Sequence, residues 1–591
     1  MNVPACWLAL IVCLAASLAA LAEEQSIHSP AELWQGYDPE ALPLEIESLE
    51  RWTEDGIQLE KLRFTSEVFE GGKARVLAIV GKKSGDNQQP GVLHIHGGGQ
   101  TLSLDWVKFW TKRGYVCATY DFCGQWEGRK EFTDWGPLKH GNMAHAAGGF
   151  QVTPTPRESS WYHWTIAARR TLTLLTLQPE VDRERLGIFG ISMGGTLCWS
   201  VAASDARVKT AVPIYGCGYN VDGQRTQWGF PKLTPELALF QRAVSPEAHA
   251  PYITCPILFL NATNDFHGWM DRSYDILAAT PSPRWQAYSP RFNHHIAAAQ
   301  GANLPLWMDY QLKDGAAFPR SPVITLSLDA AGVPQADVDA ADSPESVEVY
   351  YTLGERPAPN RFWRSAVVSG DGLHRQAELP VVDSWEPIAA FANVHYASGV
   401  CLTTNLVSRV PGTLGKARAT LSPDVPLDER LAAESWVYAR AHTDPSLERT
   451  YLLVEHTSER PRVVRLNPAV FGEAQTIDIS SHVVGDPQFR APAGARLAFD
   501  YAGDFSDEGL RVTVTEHDWT PLAKSYAAAI PAKEPSDGWR TAELSLADFK
   551  LKDAGAPLAS WNELDKINLQ GTTKSRPFRL ANLRWIVEPK P

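Results

Sequence analysis

No basic run, glycine-rich phosphate loop, dinucleotide fingerprint or metal-type cluster of His and Cys interrupts the 591 residues. Each absence removes a class of function, so no nucleotide, metal or other cofactor is expected. Lys and Arg number 55 against 68 Asp and Glu, a formal charge of -13. Such a surface repels a phosphate backbone, and nucleic acid is not an expected partner. Cysteine is scarce: of eight, Cys6 and Cys13 fall in the first apolar stretch, and Cys117, Cys123, Cys198, Cys217, Cys255 and Cys401 show no ligand spacing. Spacing fixes no disulfide, and Cys117 and Cys198 read as small buried thiols. After residue 22 no segment is long and apolar enough to cross a bilayer, so stable membrane insertion is not expected.

What is present begins with that apolar stretch, Cys6 to Ala22, which ends in Ala20-Leu21-Ala22 before Glu23-Glu24. This is the small-x-small pattern of a signal peptide, predicting cleavage after Ala22 and a secreted or periplasmic protein. Met1 to Ala5 carries no Lys or Arg, so a retained anchor is the alternative. The remainder is too long for one core, and 21 Trp suffice to line clefts or sugar-binding surfaces.

From Pro90 to Leu312 short apolar runs alternate with longer amphipathic ones, the grammar of a doubly wound, mostly parallel α/β sheet. Val92–His96, Tyr115–Tyr120, Arg185–Phe189, Val208–Tyr215, Pro256–Leu260 and Trp285–Tyr288 read as strands. Trp164, Ala167, Ala168, Leu172 and Leu175 recur at helical spacing, predicting a helix with one face on the sheet. After Phe318 strands and turns dominate. Residues 329–346 read as an exposed loop or linker; 347–351, 362–368 and 387–396 read as strands of a small β-sandwich, and segments of 496–587 as strands of a third unit. The expected division is a signal peptide at 1–22, a catalytic α/β domain at 23–318, an Ig-like sandwich at 319–415 and a β jelly roll at 416–591.

The chemistry concentrates where Arg185–Phe189 runs into Gly190-Ile191-Ser192-Met193-Gly194-Gly195 and then a helix-like segment. A G-x-S-x-G between strand and helix is a nucleophile elbow, in which only glycines fit beside the serine and the helix N-terminus favours developing negative charge. Ser192 is thus the expected nucleophile. The strand 92–95 ends in His96-Gly97-Gly98-Gly99-Gln100, where backbone N–H groups can approach an oxyanion. Met193 N–H is one expected donor, with Gly98, Gly99 or Gln100 as the other; His96 reads as structural. Strand 256–260 leads to Asp265, the expected acid, with Asp271 as the fallback. The base must follow, and Asn293-His294-His295 offers two imidazoles, of which His294 is preferred and His295 is the alternative. His267 either lines the site or packs beneath it.

These residues, with Arg113-Gly114-Tyr115, resemble the dienelactone hydrolase and acetyl xylan esterase branch of the α/β-hydrolase superfamily, and in part prolyl-oligopeptidase-type catalytic domains. The resemblance spans about 200 residues between His96 and His295. It implies a metal-independent serine carboxylesterase acting through Ser192, Asp265 and His294, with an acylated carbohydrate or other small ester as substrate. An exported peptidase on the same triad is the alternative. An insertion from Gly124 to Ser160 is placed to cover the site, making Trp126 and Arg129 candidate substrate contacts, with Tyr215 a further wall. The terminal unit, with Trp539, Trp561 and Trp585, resembles carbohydrate-binding modules.

Overall fold

The computed structural model describes residues 27–587 apart from 70, 84–87, 127, 144–149, 218–232, 423–434, 439–450, 457–459, 461, 473–474, 533–537 and 553. The predicted signal peptide lies outside the described residues.

Nine strands form the first sheet: β1 (Glu47–Glu54), β2 (Ile57–Phe69), β3 (Gly72–Lys82), β4 (Gln89–Ile95), β5 (Val116–Tyr120), β6 (Val181–Ile191), β7 (Val208–Ile214), β8 (Ile257–Ala262) and β9 (Arg284–Ser289), in the order β1-β2-β3-β5-β4-β6-β7-β8-β9. All six expected strands are present as β4 to β9, joined in parallel, while β1 to β3 and β5 pair antiparallel. The centre is buried on both faces, so β5, β7 and β8 are nearly continuous apolar runs. Helices α1 (Leu104–Lys112), α2 (Ser160–Thr176), α3 (Met193–Ser204), α4 (Pro235–Ala243), α5 (Met270–Ala279) and α6 (Asn303–Leu312) connect and flank it. None of the described helices is long and apolar enough to cross a membrane.

Helix α2 departs from expectation because every residue in it is buried, not one face alone. Residues 30–45 cover its outer side. Trp34 stacks on Tyr162 at 4.8 Å, and Arg170 donates to the Pro39 and Thr65 carbonyls. Arg169 lies over Trp34 and Tyr37 and reaches Asp205 at 3.6 Å, so the buried cation has both aromatic faces and a counter-charge.

The second part holds two sheets. One comprises β10 (Val323–Leu328), β11 (Pro334–Asp339), β14 (Val368–Ser369) and β15 (His374–Glu378); the other comprises β12 (Ser346–Leu353), β13 (Arg364–Ala366), β16 (Ile388–His395), β17 (Cys401–Thr403) and β18 (Val407–Arg409). Residues 329–346 are therefore not a linker. Ala336 and Val338 of β11 point into the core while Asp337 and Asp339 point out, a period-2 pattern that the Ala- and Asp-rich composition conceals. This sandwich also closes the edge of the first sheet. Thr403 Oγ1 accepts from Tyr288 N–H at 2.8 Å, and Asn393 Nδ2 donates to the Tyr288 carbonyl at 3.1 Å, so β9 does not present an open edge.

The third part is a two-layer sandwich with its own core. β19 (Val437–Tyr438), β22 (Thr476–Ser481), β24 (Phe505–Glu516), β25 (Lys524–Ile530), β27 (Lys550–Leu551) and β28 (Leu564–Thr573) form one layer. β20 (Leu452–Glu455), β21 (Val463–Leu466), β23 (Arg496–Ala502), β26 (Arg540–Leu544) and β29 (Arg579–Ile586) form the other. Trp561 and Trp585 lie in this core, with Trp561 Nε1 bonded to the Ala495 carbonyl at 2.8 Å, and Trp539 is flanked by Arg460 and Arg579. None of the three stands as an open sugar platform.

Four histidines distributed over these layers are buried neutral. Burial pushes His249 down to about 4 and both His267 and His482 down to about 3, and it holds His94 well below its usual value of 6.5. Once the pH falls below about 6.5 the unfolded chain binds protons at these four positions that the folded chain refuses, so their contribution to stability falls toward acid. Each histidine adds a slope of about 1.4 kcal/mol per pH unit. Thermal melting should show a steep decline as the pH is lowered from about 6.5 to about 5; a constant melting temperature over that range would refute the neutral assignments.

Candidate active site

Ser192 directly follows β6 and has φ 59° and ψ -119°, a conformation that a non-glycine residue adopts only under constraint. The constraint is close packing: a Cβ on Gly194 would overlap the Ile95 and His96 carbonyl oxygens, and one on Gly190 would overlap the Gly194 carbonyl. Ser192 N–H donates to the Ile214 carbonyl at 2.9 Å, and the serine caps α3 while remaining partly exposed.

Asp265 follows β8 and is fully buried. Its Oδ1 accepts from the backbone N–H groups of His267, at 2.7 Å, and Gly268, while Oδ2 accepts from His294 Nδ1 at 2.5 Å. The carboxylate is thereby held on three sides, and Nε2 of His294 is left as the basic nitrogen. His295 lies elsewhere, buried against Phe292 and Tyr451. The turn separates the two: Asn293 Oδ1 accepts from Phe266 N–H at 3.0 Å, tying the loop to the residue after Asp265. Asp271 is engaged in a bidentate pair with Arg361 at 2.7 and 2.8 Å. His267 is buried with Nε2 3.3 Å from Thr196 Oγ1, so it packs beneath the site and is kept neutral by burial and by neighbouring His294.

Tyr215 links these parts. Its ring is fully buried and stacks on His294 at 4.2 Å, and the next residue, Gly216, approaches Ser192 so closely that a Cβ would overlap the Ser192 carbonyl oxygen. One turn thus contacts both the serine and the imidazole. Tyr215 supports the histidine from below and is closed to solvent, so it is not the exposed wall that its position suggested.

In the loop after β4, His96 Nδ1 bonds the Gly97 carbonyl at 2.7 Å, Nε2 accepts from Phe122 N–H at 3.2 Å, and the ring stacks on Phe122 at 4.3 Å, a structural role. Gly97 N–H is taken by Gln100 Oε1 at 3.0 Å, Gly99 N–H by Met143 Sδ at 3.2 Å, and Gln100 N–H by the Gly97 carbonyl at 3.2 Å. Among the described residues Gly98 N–H has no partner, and Gly98 packs directly on the Met193 side chain. Of the three expected second donors, Gly98 is the one left available.

Arg129 is used in a way that sequence reasoning did not foresee. Nη2 donates to the carbonyls of Gly99, at 2.9 Å, and Gln100, and Nη1 donates to buried Asp121 at 3.1 Å. It straps this loop instead of facing open solvent. Trp126 alone of the three candidate substrate contacts stays exposed. The arrangement can activate a hydroxyl by an oriented imidazole, with the Gly98 amide open to an oxyanion. The described cysteines are all buried, and burial pushes Cys123 and Cys255 up to about 12, so these two thiols stay protonated.

Residues 159–282 match the Dienelactone hydrolase family, a segment that holds Ser192 and Asp265. No curated protein matches the chain in sequence. Solved structures similar to it include the acetyl xylan esterase from Paenibacillus sp. R4, 15% identical, covering 50% of this chain and 99% of its own, with a TM-score of 0.37. Acetyl xylan esterase 1 from Thermoanaerobacterium sp. JW/SL YS485 is 18% identical over 49% and 97%, with a TM-score of 0.37. The Pyrococcus horikoshii acylaminoacyl peptidase is 17% identical over 47% and 44%, with a TM-score of 0.31.

Proposed function

We propose that this α/β-hydrolase, whose elbow lies in a segment of dienelactone hydrolase type, is an exported serine ester hydrolase that removes acyl groups, acetyl foremost, from a polysaccharide. The observation that carries the reading is the His294 Nδ1 to Asp265 Oδ2 bond of 2.5 Å beside the strained Ser192 elbow. In this reading Ser192 Oγ attacks the ester carbonyl while His294 Nε2 takes its proton. Asp265 fixes the tautomer and offsets the imidazolium charge, and the Met193 and Gly98 N–H groups receive the oxyanion. His294 then protonates the departing sugar hydroxyl. Water, deprotonated by the same nitrogen, releases the acid and restores the serine. The catalytic domain is assigned to 23–318, followed by sandwiches at 319–415 and 416–591.

Acid release from acetylated xylan, a long-chain triglyceride and a short peptide tests the substrate class. Acetate from the first alone is expected; peptide cleavage without ester cleavage would replace the reading with a serine peptidase.

Arg129 is a positioning residue here, since it holds the loop that carries Gly98 rather than touching substrate. Loss of an oxyanion donor costs about 10²- to 10³-fold in kcat. Arg129→Ala, which loosens one donor, should lower kcat on p-nitrophenyl acetate roughly 10- to 100-fold with little change in KM, and Arg129→Lys should restore part of it. A rise in KM with unchanged kcat would show instead that Arg129 binds substrate.

A further inference from the structure

The larger layer of the C-terminal sandwich does not turn its outer face to open solvent. Along β28 Lys566, Asn568 and Gln570 alternate with buried Ile567 and Leu569, and along β24 Arg511, Thr513 and Thr515 alternate with buried Val512 and Val514. The pairing register sets these side chains in rows across the sheet. Arg511 lies opposite Gln570 and Gln570 opposite Asp478, while Thr513 lies opposite Asn568 and Asn568 opposite Ser480. Asn264, Arg291, Asn293 and Pro359, from the loops that carry the triad and from the middle sandwich, stand across from these rows and enclose a groove of about 450 Å³.

The groove reaches the candidate active site through Trp519. This residue lies just after β24, in a turn where His517 and Trp519 both have left-handed backbone, φ 49° and 59°. A bulky side chain is strained there, and the conformation persists only because the packing around it imposes it. The indole stacks on Phe266 at 6.0 Å with an interplanar angle of 17° and meets Trp269 edge-on at 6.4 Å. Phe266 in turn lies 4.7 Å from the His294 ring. Groove and triad therefore share a wall.

The charge of the groove is opposite to that of the chain. Arg291, Arg511, Lys552 and Lys566 line it against Asp478 alone, in a protein of formal charge -13. Lys566 is paired with Asp518 at 2.7 Å, and Arg291 donates to the Trp363 carbonyl and Ser365. Arg511 and Lys552 are exposed, and among the described residues their side chains have no partner. Free cations in an otherwise acidic surface select a negative occupant. Rows of hydroxyls and amides match the alternating donors and acceptors of a polyol, and an indole offers a face for a sugar ring.

We propose that this groove binds an acidic carbohydrate chain, its carboxylate or sulfate groups lying on Arg511 and Lys552, and that an esterified unit of that chain passes Trp519 toward Ser192. Only the last clause rests on the esterase reading. Calorimetric titration of full-length Ser192→Ala with oligogalacturonate, a sulfated galactan oligosaccharide and a neutral xylo-oligosaccharide tests it. At least one acidic probe should bind about tenfold more tightly than the neutral one, and which one does so distinguishes carboxylate from sulfate. Adding Arg511→Ala and Lys552→Ala should weaken that binding about tenfold without changing the melting temperature. Equal affinity for the neutral probe, undiminished binding by the altered protein, or tighter binding of oligo-aspartate or single-stranded DNA would overturn the proposal. An acidic probe that binds a wild-type protein inactive on every ester would leave the groove standing and remove the esterase. Ester hydrolysis by a protein that binds none of the probes would do the reverse.

Discussion

Ser192→Ala should lower kcat/KM on p-nitrophenyl acetate by about 10⁴- to 10⁶-fold, about 5 to 8 kcal/mol of transition-state stabilisation. The size of the effect follows from the role: without the hydroxyl no acyl-enzyme can form, and only binding and the oxyanion donors remain to assist direct attack by water. The fold should tolerate the change. The backbone at 192 is held by the Ile214 carbonyl and by glycine packing, none of which involves Oγ. Retention of more than about a hundredth of the activity in a protein with wild-type melting would remove Ser192 from the mechanism.

The second large effect separates two adjacent histidines. His294→Ala takes away both the proposed proton acceptor for Ser192 and the partner of Asp265, and should lower kcat by about 10⁴-fold. It also leaves a fully buried carboxylate with one oxygen unpaired, so some loss of stability accompanies it. His295→Ala should behave in the opposite way. Its ring packs on Phe292 and Tyr451, so truncation should lower the melting temperature through the cavity it leaves while kcat changes less than about threefold. Similar kcat values for the two variants would contradict the assignment.

The central strands were readable because a parallel sheet covered on both faces demands apolar runs, and β5, β7, β8 and the second half of β6 supply them. The antiparallel wing was not. β1 is exposed along nearly its whole length and carries Glu47, Glu50, Arg51 and Glu54, so nothing in its composition distinguishes it from a loop; it is a strand because β2 pairs with it. The chain order of Ser192, Asp265 and His294 was legible for a different reason, since each follows a strand of the same sheet. The choice between His294 and His295 depends on a turn anchored by Asn293 to Phe266, a long-range bond that spacing cannot reveal. Arg129 is similar: the sequence shows a cation in an insertion, and only the fold brings the Gly99 and Gln100 carbonyls to it. The polar rows of β24 and β28 look like any solvated sheet face until the triad loops are seen to roof them.

The central claim is that Ser192 is a nucleophile activated in the folded protein, and phosphonylation tests it directly. A fluorophosphonate probe added to the native protein, followed by digestion and mass spectrometry, should place one adduct on the peptide containing Ser192, with none in Ser192→Ala, His294→Ala or urea-unfolded protein. An adduct on another residue, or no adduct on native wild-type protein, would contradict the account.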